Sequence, residues 1–278
     1  MGQATGGARS VNLLTLEDVG KTYGSVRALE GVSLTVRQGE ISCVLGDNGA
    51  GKSTLIKIIA GLHRHDEGRY LIGDQEVRLS SPRQAIDRGI ATVYQDLAVV
   101  PLMPVWRNFF LGAELGGRFR MDRARMRRIT REALARMGIE LADVDQPIGT
   151  LSGGQRQCVA IARAVHFGAR ALVLDEPTAA LGVKQSGVVL KYVAAARAEG
   201  LGVVLITHNP HHAYLVGDHF TLLKRGRMAG RHPRDGITLE RLTTEMAGGS
   251  ELAELSHELG GAAGRPGPEA DHRPGAGG

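Results

Sequence analysis

No stretch of this chain approaches the roughly 18 consecutive apolar residues of a membrane-spanning helix, so any membrane role has to come through a partner. The opening MGQATGGARS has no apolar run either, so it is not expected to act as a secretory signal. Cysteine is nearly absent. Cys43 and Cys158 stand far apart, each in an apolar segment, which predicts buried, reduced thiols in a cytosolic protein rather than a disulfide or metal pair. Aromatic residues are scarce at 4%, whereas glycine is abundant, part of it in the C-terminal stretch.

What the chain holds in excess is positive charge, a net +5. This permits attraction to nucleic acid or anionic lipid without requiring it. The excess gathers in RFRMDRARMRRITREALARM (118–137), where eight arginines face only Asp122 and Glu132. Met126, Ile129, Ala133 and Met137 recur at helical spacing, and Asp122 suits an N-cap. The expectation is an amphipathic helix whose basic face is either solvated or docked on an acidic or membrane-proximal partner.

The apolar runs ISCVL (41–45), IATVY (90–94), ALVLD (171–175) and GVVLI (202–206) read as strands buried on both faces. Helical patterns follow at 52–60, 153–167 and 184–199. This alternation predicts a largely parallel sheet covered on both sides. LLTLEDVGKTY, VRALEGVSLTVRQGE and, near the end, HFTLLKRGRMAG alternate better and are expected to be antiparallel. The arginine-rich region from about 97 to 150 reads as a helical insertion in the α/β core.

GDNGAGKST matches G-x-x-x-x-G-K-[ST] in full between a strand and a helix. It comprises Gly46, Asp47, Asn48, Gly49, Ala50, Gly51, Lys52, Ser53 and Thr54. Its glycines let backbone N–H groups converge on phosphate oxygens, Lys52 brings a charge to the β/γ-phosphates, and the Ser53 hydroxyl suits Mg²⁺. ALVLDEP ends a buried strand in two carboxylates. Asp175 suits a Mg²⁺ contact, and Glu176 suits a general base or water-positioner at the γ-phosphate. Gln95 and His208 also end strands, at the same expected sheet edge. The Gln suits Mg²⁺ or the attacking water; the His suits either the γ-phosphate or a structural role. The neighbouring HNPHH is a poor zinc site, because Pro210 interrupts helical pairing and no Cys cluster accompanies it. Tyr23 fits either an adenine stack or a core position. LSGGQRQCVAIARA (151–164) opens a second helix on two glycines, and such an N-terminus is itself an anion site. The chain thus carries two phosphate cradles.

Together these residues resemble the ATP-binding subunits of ABC transporters, over roughly residues 13–245. The phosphate loop at 46–54, Gln95, LSGGQ at 151–155, LVLDEP at 172–177 and His208 occur in that family's order. The resemblance implies a P-loop NTPase (RecA-like) α/β core with an antiparallel β subdomain and an inserted α-helical subdomain at about 97–165. The nucleotide-binding domain would span 12–250, after a flexible N-terminus (1–11) and before an extension (251–278) disordered from about 260. It implies ATP and Mg²⁺, the latter at Ser53, Gln95 and Asp175. It makes Tyr23 the adenine-stacking residue, Glu176 the catalytic carboxylate and His208 the switch histidine, with Lys52 and Gln95 beside them. It also resolves the duplication. In a head-to-tail homodimer, Ser152, Gly153, Gly154 and Gln155 would touch in trans the γ-phosphate held by the partner's loop, so that closure depends on ATP.

SPRQAIDRGIATVYQDLAVVPLMPVWRNFFLG (81–112) is similar to monosaccharide-importer ATPases of the ribose, xylose and fructose type, and ALGV (180–183) resembles the single-domain fructose-like members. The implied partners are a membrane permease and, indirectly, an extracytoplasmic sugar-binding protein. The implied place is the cytoplasmic face of the membrane, and no nucleic acid is expected. Gly182 departs from the family, which usually has Asp there. The alternative class is a soluble ABC-type ATPase acting on DNA or the ribosome. The basic charge favours it; the lack of a heptad run, a CxxC pair and a second tandem domain speaks against it. An exporter subunit is separated from the sugar reading by the 81–112 stretch.

Overall fold

The computed structural model describes residues 11–117 and 120–247. The expected flexible N-terminus, apart from Val11, and the 251–278 extension lie outside the described residues. Strands β1 (Asn12–Tyr23), β2 (Val26–Arg37) and β3 (Ile41–Leu45) lead to α1 (Lys52–Ile59), followed by β4 (Glu67–Ile72), β5 (Gln75–Glu76) and α2 (Pro82–Asp87). Next come β6 (Ile90–Val93), α3 (Val105–Phe109), β7 (Gly116–Gly117), β8 (Arg120–Met121), α4 (Arg123–Arg136) and α5 (Gly153–His166). The chain continues through β9 (Ala171–Asp175), α6 (Val183–Ala198), β10 (Gly202–Thr207), α7 (Pro210–Val216), β11 (His219–Lys224), β12 (Arg227–Pro233) and α8 (Leu239–Met246).

One sheet is ordered β12-β11-β3-β10-β9-β6 and is parallel except for β12; a second, antiparallel, is ordered β2-β1-β4-β5. Successive side chains of a strand point to opposite faces, so a sheet covered on both sides divides its residues between two cores. Here Cys43, Leu45, Leu172, Leu174, Val203 and Leu205 join the core shared with α3–α6, whereas Val44, Val173, Val204 and Ile206 join the core shared with β1, β2 and α1. The near-continuous apolar runs of these strands, broken only by Ser42 and by the polar residues at their carboxyl ends, follow from that double burial.

The expectation that HFTLLKRGRMAG is antiparallel holds within the stretch but is incomplete. Strand β11 pairs antiparallel with β12 but parallel with β3, in the register Phe220↔Cys43. It therefore extends the central sheet rather than the separate antiparallel one. Between β6 and β9, helical segments alternate with a short hairpin and loops. Asp122 caps α4, accepting from Arg125 N at 3.0 Å, and Met126 and Ala133 are buried. Its basic face is tied down at one point: Arg127 Nε lies 2.6 Å from Asp145 Oδ1, which also accepts from Trp106 Nε1 at 2.9 Å. Both cysteines are free and buried, and desolvation raises both thiols, Cys158 to about 12.

Candidate functional site

In an open parallel sheet, ligands gather at the carboxyl ends of the strands. Four neighbouring strands here end in the residues that carry chemistry. Strand β3 runs into the phosphate loop, β10 ends at Thr207 and His208, β9 at Asp175 and Glu176, and β6 is followed by Tyr94 and Gln95. The registers Thr207↔Leu45, Ile206↔Asp175 and Val93↔Leu174 bring these ends level. A cleft of about 660 Å³ opens there, lined by Asp47, Asn48, Gly49, Gly51, Lys52, Ser53, Thr54, Gln95, Asp175, Glu176 and His208.

Gly51, the residue before α1, has φ +105°, and a Cβ there would stand 2.7 Å from Leu29 Cδ2 and 3.0 Å from Ala28 O. Only glycine fits both the left-handed backbone and the close approach to β2. The loop then delivers the first-turn N–H groups of α1 to the cleft, where an anion is favoured. Lys52 is 8% exposed, and its Nζ donates to the carbonyls of Gly46 and Asp47 and lies 3.8 Å from Glu176 Oε1.

Glu176 is 9% exposed and adopts φ +46°, which is strained for a residue with a Cβ. Its N–H donates to Ile206 O at 2.9 Å, which pins the backbone to the end of β10. Its Oε2 accepts from Thr207 Oγ1 at 3.1 Å, and His208 Nδ1 stands 2.9 Å from its Oε1. An ionised carboxylate only accepts, so His208 Nδ1 carries the proton in this contact, and Nε2 donates as well only in the imidazolium form. Burial, then the adjoining Glu176 carboxylate, push Asp175 above its ordinary value, with Lys52 opposing. Ser53, Gln95 and Asp175 offer a hydroxyl, an amide oxygen and a carboxylate in one cleft, the hard oxygen set that suits Mg²⁺ with nucleotide oxygens and water completing its shell. No cluster of three or more His, Cys, Asp or Glu fit for a metal occurs among the described residues, HNPHH included. His212 of that motif instead meets Thr178 Oγ1 through Nδ1 at 2.9 Å.

Not all the expected residues converge. Ala50 is buried beneath the loop. Tyr23 is 39% exposed at the end of β1, edge-on to His63 at 5.5 Å, so the core position is excluded; it stands outside the cleft's lining. Ser152, Gly154 and Gln155 line a different hollow, with Cys158, Gln185 and Tyr192. There Ser152 Oγ accepts from Gln155 N at 3.2 Å, and Gln155 Oε1 accepts from Ser152 N at 2.9 Å, a reciprocal capping box at the start of α5. The Ser152 O–H and the Gln155 NH₂ keep their donor capacity. Both glycines sit close to the segment after Asp175–Glu176: a Cβ on Gly153 would press on the Leu181 Cδ2 methyl at 2.7 Å, and one on Gly154 would stand 3.3 Å from Gln185 Cβ. Sequence reasoning missed Ala179, just after Asp175–Glu176, and also Val26, Arg27, Ala28, Arg225 and Gly226, which with it complete the cleft's lining. The last five sit on hairpin elements far from any phosphate motif; the one available signal for them was the RG pair between β11 and β12.

The sequence pattern of the ABC transporter family matches residues 29–179. The chain is 41% identical to the xylose/arabinose import ATP-binding protein of Sulfolobus acidocaldarius, covering 84% of this chain and 94% of that protein. It is 41% identical to the fructose import ATP-binding protein of Rhizobium meliloti, covering 86% and 95%. A ribose import ATP-binding protein of Burkholderia pseudomallei is 40% identical over 85% of this chain but only 46% of its own length. Among solved structures, an ABC transporter cassette in its ADP conformation superposes with a TM-score of 0.74 at 25% identity, covering 84% of this chain and 94% of that one. A dimeric post-hydrolysis cassette bound to ADP and Pi gives 0.67 at 28%, covering 81% and 100%.

Proposed function

Because the chain belongs to the ABC transporter family of ATP-binding cassettes and is an ATPase, we propose that it powers uptake of a small sugar through a separate membrane permease. The relatives named for xylose/arabinose, fructose and ribose import support the sugar class, and the dimeric cassette supports a working homodimer. On this reading the chain acts at the cytoplasmic face of the membrane and meets the extracytoplasmic sugar-binding protein only through the permease. Residues 12–250 form the nucleotide-binding domain, with the helical part at about 97–165 receiving the permease. Within that part, Asn108 bonds Val100 N at 2.7 Å and Met103 O at 2.9 Å, so the segment after Gln95 moves with α3 as a unit.

The observation that carries the reading is that the phosphate loop and the LSGGQ helix start line separate hollows within one chain. The phosphate loop shares a cleft with Gln95, Asp175, Glu176 and His208, whereas Ser152, Gly154 and Gln155 line another. A second copy is therefore needed to bring Ser152, Gly153, Gly154 and Gln155 to a nucleotide. Lys52 exchanges its carbonyl partners for phosphate oxygens, the Thr207-held Glu176 orients water and takes its proton, and His208 reports the γ-phosphate once its contact with Glu176 loosens. Ser53, Gln95 and Asp175 would hold Mg²⁺, which when bound would supply positive charge to offset that developing on the phosphates. Tyr23 covers the base.

The test is uptake. Deleting the gene should abolish accumulation of a labelled pentose or hexose, and the wild-type gene but not Lys52→Ala should restore it. Uptake of every sugar unchanged by the deletion would refute the sugar-import reading.

A further inference from the structure

We propose that His212 is a positioning residue for the hydrolytic carboxylate: by binding Thr178 it holds the turn that presents Glu176 to the cleft. The inference rests on the reading of Glu176 as the base. It adds a residue that neither lines the cleft nor belongs to a phosphate motif.

The first observation is strain. Glu176 has φ +46° and Ala180 has φ +59°, so two residues with a Cβ hold left-handed backbone in one turn. Such angles persist where the surroundings over-determine them. At its start, the turn is pinned by the Glu176 N–H, which donates to Ile206 O. The bonds that follow, from Ala179 N to Glu176 O at 3.0 Å and from Leu181 N to Thr178 O at 3.4 Å, are internal to the segment. Among the described residues, the contact of Thr178 Oγ1 with His212 Nδ1 at 2.9 Å is the one hydrogen bond that fastens residues 177–180 to another element.

The second observation is a closed circuit. Thr207 Oγ1 donates to Glu176 Oε2 and accepts from Asn209 N, each at 3.1 Å. Asn209 Oδ1 caps α7 by accepting from His212 N, also at 3.1 Å. His212 Nδ1 then meets Thr178, just beyond Glu176 in the chain. The circuit leaves Glu176 by its side chain and returns through its own backbone, so one set of bonds fixes both the carboxylate and the path of the turn. Thr207, Thr178 and Glu176 are 1%, 6% and 9% exposed, which leaves water little room to replace a bond that is lost. Burial, with His211 and His208 close by, holds His212 below the ordinary histidine value. The neutral ring donates or accepts at Nδ1, and a hydroxyl answers either role.

The test is phosphate release by the full chain with Mg-ATP. His212→Phe keeps a ring and loses the bond; it should lower kcat about tenfold and leave the KM for ATP unchanged. Thr178→Val should do the same, and the double variant should be no slower than either, because both changes remove one bond. Asn places an amide atom close to where Nδ1 lies, so His212→Asn should recover to within about threefold of wild type. In a Glu176→Gln background, His212→Phe should have no further effect on the residual single-turnover rate, whereas a loss of folded protein would lower both backgrounds alike. Unchanged kcat in His212→Phe would overturn the proposal, as would an equal further loss in the Glu176→Gln background. If Glu176→Gln alone kept wild-type turnover, the reading of Glu176 as the base would fail, and this inference with it.

Discussion

Replacing Glu176 with Gln tests the hydrolytic site most sharply, because it removes one charge and almost no volume. The carboxylate lies 3.8 Å from Lys52 Nζ with both side chains about one-tenth exposed. At that separation the pair's attraction is roughly 4 kcal/mol for an effective dielectric of 20, before the desolvation that opposes it. The amide releases Lys52 from this attraction, so nucleotide affinity should hold or tighten rather than fall. The hydrogen bonds survive, since the amide oxygen accepts from His208 Nδ1 and the Thr207 hydroxyl rotates to accept from the new NH₂. What is lost is the base. General-base contributions of about 10²–10⁴ translate to a barrier increase of about 3–5 kcal/mol. Turnover by phosphate release should therefore fall at least a hundredfold, while light scattering with saturating Mg-ATP detects a stable dimer. A Glu176→Gln chain that turns over within threefold of wild type, or stays monomeric with ATP, would refute both the assigned base and the shared site.

Gly182 begins α6 in an extended conformation (φ −68°, ψ 161°) with no side-chain cap, and a Cβ there meets nothing within 4 Å. Gly182→Asp should then cap the helix and raise stability by about 0.5–1 kcal/mol, or about 1–2 °C in a thermal melt; a lower Tm would show that the backbone needs the glycine. His65, His166 and His212 are held below the ordinary histidine value of about 6.5, chiefly by burial, aided by Arg78, Arg136 and the neighbouring His211 and His208 respectively. A depressed histidine contributes stability in full above its unfolded value and loses it as pH falls, because the unfolded chain takes up protons first. The Tm of nucleotide-free protein should drop between pH 7.5 and 5.5, less steeply in His166→Leu, which keeps the ring's apolar setting beside Phe109 and Phe110; a flat profile in the wild type would refute this assignment.

The legible parts of the fold share one property: their signals are local. ISCVL and ALVLD became strands with the expected ends, because burial on both faces leaves an unbroken apolar run. Helices α1 and α5 start at their glycine and capping signals. Helices α2, α3 and α7, with six, five and seven residues, are too short for a 3.6-residue period to register one by one, and α3 is foreshadowed only as part of the helical insertion at about 97–150. The exposed positions of HFTLLKRGRMAG lie in its β12 half, whereas β11 is buried at four consecutive positions, and nothing in its residues tells which strand lies along its other edge.

By itself the sequence determined the chemistry available: a glycine loop with its lysine, strands ending in Gln95, Asp175–Glu176 and His208, and a second glycine-opened helix. These follow from residue type and short spacing, which fix local backbone and donor groups. Only the tertiary structure decided which of them meet. Strand order brings four sheet edges and an unforeseen hairpin turn into one cleft, and leaves Ser152 and Gln155 in another. That partition depends on contacts between residues more than a hundred positions apart, such as Gly226 with Ala50, which no local pattern encodes.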